Sequence, residues 1–389
     1  MQTAVYTTLV SSFSDHIFAG DQSVGATLVP IPNTIVKPYS ADGTPLERAR
    51  ESRPSPAFLR NPSCVFDARG VSGFRGPVPG CRDDSLLSPP DTCNLKPDTV
   101  PFSGFVAIAG LPNTGKSTLL NRLVGQTLSI TSAKPQSTRT RVVGIRTDED
   151  VQMIFVDAPG LMDPEYALHH AMRGTAVRAI MDADVVVYLA DATLGAPASL
   201  AEAAGLAAPP AAPVIVALNK SDLLAAAAQA ALAREAPDAL IVSARTGEGM
   251  DALLARIAES LPESPFHFPS DDLATQPMRF FAAELVRETV FEQLDEELPY
   301  AIACEIEEFR ESTSPMYIRA VLYVERESQK GIVIGAKGAR IRAIGEAARR
   351  KIESLVGATI YLDLWVKVLR DWRRDAAALR RFGYATPEE

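Results

Sequence analysis

The chain has little cysteine: four residues in 389, at Cys64, Cys81, Cys93 and Cys304, with no CxxC pair among them. That spacing excludes a zinc ribbon or a disulfide framework, and free thiols in a reducing cytosol are the simplest reading. Long hydrophobic runs are missing too; nothing approaches the ~20 apolar residues of a membrane span. Positive charge is in deficit, with 39 Lys and Arg against 48 Asp and Glu and a formal net charge of −9. Any contact with nucleic acid must therefore come from a local basic patch. The start offers no basic segment leading into an apolar core, as a secretory signal would. Asp15, Asp21, Asp42 and Glu47 offset Lys37, Arg48 and Arg50, which argues against an organelle transit peptide.

What is present suits a globular protein of two or three domains, with 47% hydrophobic and 22% charged residues. Residues 1–100 stand apart: "ESRPSPAFLRNPSCVFDARG" and "DSLLSPPDTCNLKPDTVP" are dense in Pro, Ser, Gly and Asp and show no periodicity. A disordered extension is expected there. From Phe102 the pattern alternates between strand and helix. "FVAIAG", "RVVGIRT", "VQMIFVDAPG", "ADVVVYLADA", "PVIVALNKSD" and "ALIVSARTG" are the strand candidates. Buried strands separated by helices predict an α/β domain over 101–262, a mainly parallel sheet with helices on both faces. Apart from "NKSD" at 219–222, the alanine-rich segment 196–236 carries no candidate site. Prolines mark 263–277 as a linker, and 278–389 reads as an α+β module.

Chemistry enters at "GLPNTGKSTLLN", between a strand and a helix. Gly110, Gly115, Lys116 and Ser117 satisfy GxxxxGK[ST], a phosphate-binding loop. Backbone N–H groups of Gly110, Leu111, Pro112 (which lacks one), Asn113, Thr114, Gly115, Lys116, Ser117 and Thr118 lie along such a loop, at the positive end of the next helix. Lys116 would reach the outer phosphates and Ser117 would ligate Mg²⁺. The base is chosen elsewhere. "NKSD", Asn219, Lys220, Ser221 and Asp222, follows the strand "PVIVAL". The Asp222 carboxylate can accept from guanine N1–H and the 2-amino group; adenine offers neither, and such a site rejects the wrong partner by ~10⁴ or more. Asn219 would fix the loop and base, and the Lys220 stem would lie along the purine.

Two weaker signals gain force from their order. "DAPG", Asp157, Ala158, Pro159 and Gly160, closes a strand; Asp157 suits the Mg²⁺ shell and the Gly160 amide can sense a γ-phosphate. "SAR", Ser243, Ala244 and Arg245, also closes a strand, and its backbone can donate to guanine O6. Between the phosphate-binding loop and "DAPG", in "SITSAKPQSTRTRVVGI", Thr138 is the candidate switch hydroxyl, with Ser137 and Thr140 chemically able substitutes. Leu161 stands where many GTPases carry a glutamine that orients water, so hydrolysis should be slow, near or below ~10⁻⁴–10⁻² s⁻¹.

In the last module "VIGAKG" contains Gly335, Ala336, Lys337 and Gly338, followed by Arg340 and Arg342. Lys330 to Lys351 holds seven Lys/Arg and one acid, Glu346, a local charge of +6. A GxxG turn lets two backbones approach while cations neutralise phosphates. An apolar groove of "GIVIG" and the strand "YIRAVLYV" is expected to hold single-stranded bases. The order helix, strand, strand, helix, GxxG, helix, strand reads as a type II KH domain.

These residues resemble the Era family of ribosome-associated bacterial GTPases. The match runs from about Phe105 to Tyr384 and includes "PNTGKSTLLN", "ITSAKPQSTRTR", "DAPGL", "NKSD", "SARTGEGMD", "ELPYAIACEIEEF", "VERESQKGIVIGAKGARIRAIG" and "LDLWVKVLRDWR". The resemblance implies GTP hydrolysis to GDP with Mg²⁺, and KH binding to the 3′ end of small-subunit (16S) ribosomal RNA. It further implies a role in maturing the small ribosomal subunit, and a cytoplasmic monomer that touches the inner membrane peripherally. Asn113 matches an asparagine that helps relatives bind K⁺. Ala158 and Leu111 depart from the family's usual threonine and arginine, at positions that contribute mainly backbone. Two other readings stay open: an RNA-binding scaffold with a hydrolytically idle GTP site, and an organellar version of the same GTPase.

Overall fold

The computed structural model describes residues 100–132, 134 and 136–384. The expected disordered extension, 1–99 with Val100 as its described edge, lies outside that range, as do 385–389 at the end of the expected KH module.

The first sheet forms around β1 (Phe102–Ala109), whose side chains are buried alternately on both faces. Val106 and Ile108 pack with Leu119, Leu120 and Leu123 of α1 (Lys116–Val124). Ala107 and Ala109 face Ala176, Ala179 and Ile180 of α2 (Ala167–Met181). A strand covered on both sides belongs in the middle of a parallel sheet, and β1 pairs in parallel with both β3 (Val151–Asp157) and β4 (Val185–Asp191). The registers set Ile108 opposite Asp157 and opposite Val187, so β1 and β3 end together at the phosphate loop while β4 runs on to Asp191.

β2 (Val142–Asp148) joins β3 as an antiparallel edge hairpin. After the short α3 (Leu200–Ala204), β5 (Val214–Asn219), α4 (Ala226–Glu235) and β6 (Leu240–Ile241) complete the order β2-β3-β1-β4-β5-β6. The "ALIVSARTG" run yields only two strand residues, because it bends into a turn: Ser243 N–H donates to Glu248 O at 2.9 Å and Gly247 N–H to Ser243 O at 2.8 Å. α5 (Met250–Ser260) then packs back on the core.

The stretch expected as a linker is a packed strap. Gln152, fully buried on β3, accepts from the N–H groups of His267 and Phe268 at 2.8 and 3.0 Å and donates to Phe268 O at 2.8 Å. Ile145 N–H donates to Leu273 O at 2.8 Å, and Ala274 is buried. Prolines break the helical pattern here without freeing the chain, since one buried amide satisfies its backbone.

The second module runs α6 (Met278–Gln293), β7 (Ala303–Arg310), β8 (Met316–Val324), α7 (Glu327–Ile334), the GxxG turn, α8 (Ala339–Val356) and β9 (Ile360–Val368). Its sheet order is β7-β8-β9, antiparallel then parallel. α6 and α8 cover one face through Val286, Val290, Ile344, Ala348 and Ile352. On the other face, Val321 and Tyr323 pack with Trp372, with Leu379 of α9 (Ala376–Arg381), and with Leu168 and Met172 of α2. "GIVI", read from sequence as part of a glycine turn, is the last turn of α7; the turn begins only at Gly335.

Candidate functional site

Gly115 adopts φ +96° as the N-cap of α1, and an added Cβ would lie 2.4 Å from Asn219 Nδ2. Only glycine meets both conditions, the left-handed backbone and the close approach. Gly110, Pro112, Asn113, Thr114 and Thr118 trace the loop around this point, with Asn113 at φ 63°. Lys116 is buried, its Nζ donating to Leu111 O at 2.8 Å. Burial lowers its pKa to about 8, against the pull of Asp157.

Four oxygens converge beside it. Ser117 Oγ lies 2.8 Å from Thr138 Oγ1 and donates to Asp157 Oδ2 at 2.8 Å; Thr138 Oγ1 is 3.4 Å from the same oxygen. Ser129 Oγ donates to it at 2.7 Å. Burial raises the Asp157 pKa, opposed by the hydrogen bond from Ser129, the charge of Lys116 and the hydroxyls of Ser117 and Thr138. Asp157 Oδ1 is buried without a hydrogen-bond partner. A buried carboxylate oxygen left over among three serine and threonine hydroxyls is a hard-oxygen set that fits Mg²⁺.

The switch alternatives separate in space. Thr138 reaches this oxygen cluster, Ser137 lines the phosphate cleft of about 410 Å³, and Thr140 borders a different cleft with Arg178 and Tyr384. Gly160 sits against the phosphate loop, where a Cβ would meet Pro112 N at 2.8 Å, and Leu161 N–H donates to Gly110 O at 3.0 Å. Ala158 and Leu161 are buried in the core, and Pro159 links them to the strand end. The Leu161 side chain is thus unavailable for positioning water.

The base-reading loops share a single knot. Asn219 Nδ2 donates to Thr114 O at 2.7 Å, and its Oδ1 accepts from Ala244 N–H at 2.8 Å. Since the Ala244 amide is committed to Asn219, the neighbouring Arg245 N–H is the better donor toward a guanine O6. Asp222 accepts from Ser243 Oγ at 2.6 Å and pairs with Arg245 at 3.0 Å. Ser221 Oγ donates to Glu248 at 2.9 Å. Lys220, at φ 70°, holds Asp191 at 2.6 Å, which fixes the lysine stem over the base side of the loop.

In the second module Gly335, Lys337 and Gly338 have φ of 70°, 50° and 75°, and Ala336 and Lys337 are exposed. Arg340 donates to Ile332 O at 3.0 Å; Arg342 donates to the carbonyls of Gly338 and Lys337 at 3.2 and 3.1 Å. The local charge is smaller than the sequence count. Arg349, Arg350 and Lys351 pair with Glu353, Glu346 and the couple Glu288 and Glu292. Lys330, Lys337, Arg340 and Arg342 remain to face a phosphate backbone.

The groove beside them is also relocated. β8 is the central strand, its residues buried except Met316, Tyr317 and Arg319, and none of "YIRAVLYV" borders the cleft beside α8. The groove is bounded by Ile341, Gly345 and Arg349 of α8 and by Ile360, Leu362 and Leu364 of the edge strand β9. Strand order, which sequence does not print, made the difference.

Sequence reasoning also passed over three residues. Ser129 holds the Asp157 carboxylate, and Asn121 holds the Ser129 segment, its Oδ1 accepting from Leu128 N–H and Ser129 N–H at 2.9 Å each. Arg122 donates to the carbonyls of Ala244 and Arg245, the first at 3.1 Å. A polar pair ending the phosphate-loop helix was the available signal.

Comparisons with known proteins agree with this geometry. A family model described as 50S ribosome-binding GTPase matches residues 105–220, and a KH domain model matches 297–373. GTPase Era of Pseudomonas fluorescens is 45% identical over 295 residues, covering 72% of this chain and 96% of that protein. Its counterpart in Pseudomonas aeruginosa is 44% identical over 291 residues. A crystal structure of Era with MgGDPNP and nucleotides 1506–1542 of 16S ribosomal RNA is 39% identical, with TM-score 0.69, covering 73% of this chain and 99% of that one. Aquifex aeolicus Era bound to GDP and AlF4⁻, in a tyrosine-to-alanine variant, matches at 38% identity and TM-score 0.68. With phosphate loop, guanine loops and GxxG turn present on one fold, the chain belongs to the Era family of GTPases.

Proposed function

We propose that the protein is a slow GTPase switch that binds the 3′ end of 16S ribosomal RNA through its KH module and assists maturation of the small ribosomal subunit. The observation that supports this most is the Era structure holding MgGDPNP and 16S nucleotides 1506–1542, matched over 99% of its length by a chain that keeps every one of these loops. The α1 N-terminus and the amides of its loop bind the phosphates, and Lys116 neutralises the outer ones. Ser117, Asp157 and Thr138 would hold Mg²⁺, which when bound would supply positive charge to offset that developing during phosphoryl transfer. Asp222 selects guanine, and Gly160 touches the phosphate loop where it can register a γ-phosphate. Buried Leu161 leaves no side chain to align water, which favours a timer over a metabolic enzyme.

The reading extends to a cytoplasmic monomer that meets the inner membrane peripherally, and to K⁺ held by Asn113, both supported by family resemblance. The test is single-turnover GTP hydrolysis with and without an RNA oligonucleotide of the 16S 3′ end, in K⁺ and in Na⁺. Slow turnover and specific oligonucleotide binding are expected. GTP binding with no hydrolysis above buffer in any condition would favour a scaffold instead.

A further inference from the structure

The loop that carries Thr138 is gripped from outside its own domain. Arg139, the next residue, is 3% exposed. Its guanidinium donates to Ile302 O at 2.7 Å, Tyr300 O at 2.9 Å and Pro299 O at 3.3 Å, all in the segment that leads into β7. It also lies 5.8 Å from the centre of the Trp372 ring, whose Nε1 donates to Ala301 O at 2.9 Å. Lys134 caps the end of α6, donating to the carbonyls of Phe291, at 2.8 Å, and Leu294, and pairing with Asp295 at 3.2 Å. Thr131 N–H donates to Glu288 at 3.2 Å. Among the described residues, the same loop reaches the Asp157 oxygen cluster through Ser129 and Thr138.

We propose that Arg139 is a positioning residue through which the KH module completes the Mg²⁺ site. Consecutive Cα atoms are about 3.8 Å apart, so Thr138 cannot withdraw far while the guanidinium keeps its three carbonyls. A buried guanidinium satisfied by charge-assisted bonds is expensive to dislodge. Docking of the KH module and closure of the hydroxyl on the metal are therefore one linked equilibrium. Linkage makes the effect reciprocal: a metal-bound triphosphate strengthens docking by the factor that docking strengthens metal binding. This rests on the GTPase reading and adds its regulation; GTP binding by the phosphate and guanine loops does not depend on it.

The experiment uses the full chain and variants Arg139→Ala, Arg139→Lys and Lys134→Ala. It measures single-turnover GTP hydrolysis against Mg²⁺ concentration, with fluorescent GDP binding in EDTA alongside. Arg139→Ala should raise the half-saturating Mg²⁺ about tenfold, within the ~5–150-fold range of coupled sites, while GDP affinity stays within about twofold. Arg139→Lys should recover part of the loss, since an ammonium can satisfy some of the carbonyls, and Lys134→Ala should shift the same way by less. Wild-type Mg²⁺ dependence in Arg139→Ala would overturn the proposal. If that variant does not fold, wild-type dependence in both other variants would overturn it. Failure of the wild-type chain to bind GTP would instead refute the parent reading.

Discussion

Asn219 hydrogen-bonds two other loops with one side chain, donating to Thr114 O at 2.7 Å and accepting from Ala244 N–H at 2.8 Å. Phosphate grip and base reading are thus mechanically joined. Asn219→Ala strands a buried carbonyl and a buried amide, each worth about 1–3 kcal/mol. GDP affinity should fall by about tenfold to several-hundredfold in a fluorescence titration, with no xanthine preference gained. Unchanged GDP affinity would separate the loops.

Asp222→Asn should behave differently. Ser243 Oγ, 2.6 Å from Asp222 Oδ1, fixes the carboxylate, and an amide in that place keeps the geometry while reversing one hydrogen bond. Guanine should be rejected and xanthine accepted, a swing approaching ~10⁴ for a site built on such pairs. Arg245 pairs with Asp222 from an exposed position, side chain 74% accessible. Exposed pairs contribute about 0–1 kcal/mol, so Arg245→Ala should move GDP affinity less than about fivefold. Strict GTP selectivity retained in Asp222→Asn would exclude the carboxylate as the discriminator.

The RNA turn gives a salt-dependent expectation. Lys337 is exposed at the tip, and no ion pair engages it among the described residues. If it neutralises one phosphate, Lys337→Ala should weaken oligonucleotide binding evenly across sequences and reduce the slope of log affinity against log salt by about 0.7. A sequence-dependent loss with no change in slope would point to base reading.

Cys304 offers a test of packing by pH. Burial, then the charge of Glu284, pushes its thiol pKa well up, with Arg287 opposing. The thiolate is the reactive form, and a raised pKa lowers its fraction at every pH below that value. Alkylation of Cys304 in the native chain should stay slow from pH 7 to 9, over which a free thiol accelerates. Peptide mapping that found glutathione-like rates would mean the β7 face is open.

The nucleotide site was readable in the sequence because its parts are local. Gly115, Lys116 and Ser117 must be adjacent, and "NKSD" must end a strand, so residue order alone encodes the chemistry. What sequence did not print was partnership across the chain. Arg122 serves the site through carbonyls of Ala244 and Arg245 far along the chain, Ser129 through the Asp157 side chain on another strand, and Asn121 by holding the amides of Leu128 and Ser129. Arg139 looked like one cation in a polar loop, yet it is buried against carbonyls about 160 residues later. The base groove was expected from "GIVIG" and β8, whereas the cleft beside α8 is bounded by the edge strand β9, because β8 is central in the sheet. Charge counting misled at α8, where acids on α6 neutralise Lys351.

Arg122 lies on α1, the nine-residue helix that begins at the phosphate loop, and its guanidinium donates to the carbonyls of Ala244 and Arg245. The Ala244 carbonyl belongs to the same peptide unit as the Arg245 N–H, the donor available to guanine O6, and the Arg245 carbonyl to the next unit. The contact therefore holds the donor's orientation without touching the base. Arg122→Ala should leave triphosphate contacts intact and loosen the base loop, so GDP release should quicken by about ten- to 150-fold, the value of one hydrogen bond from a charged donor at about 1.5–3 kcal/mol. Inosine nucleotides, which keep O6 but lack the 2-amino group, should lose affinity by the same factor as guanine. Xanthine discrimination through Asp222 should not move. Stopped-flow displacement of fluorescent GDP measures the first, and competition with inosine diphosphate the second. Faster release of GDP with inosine affinity unchanged would place the effect of Arg122 on the Asp222 side of the base, and this assignment would fail.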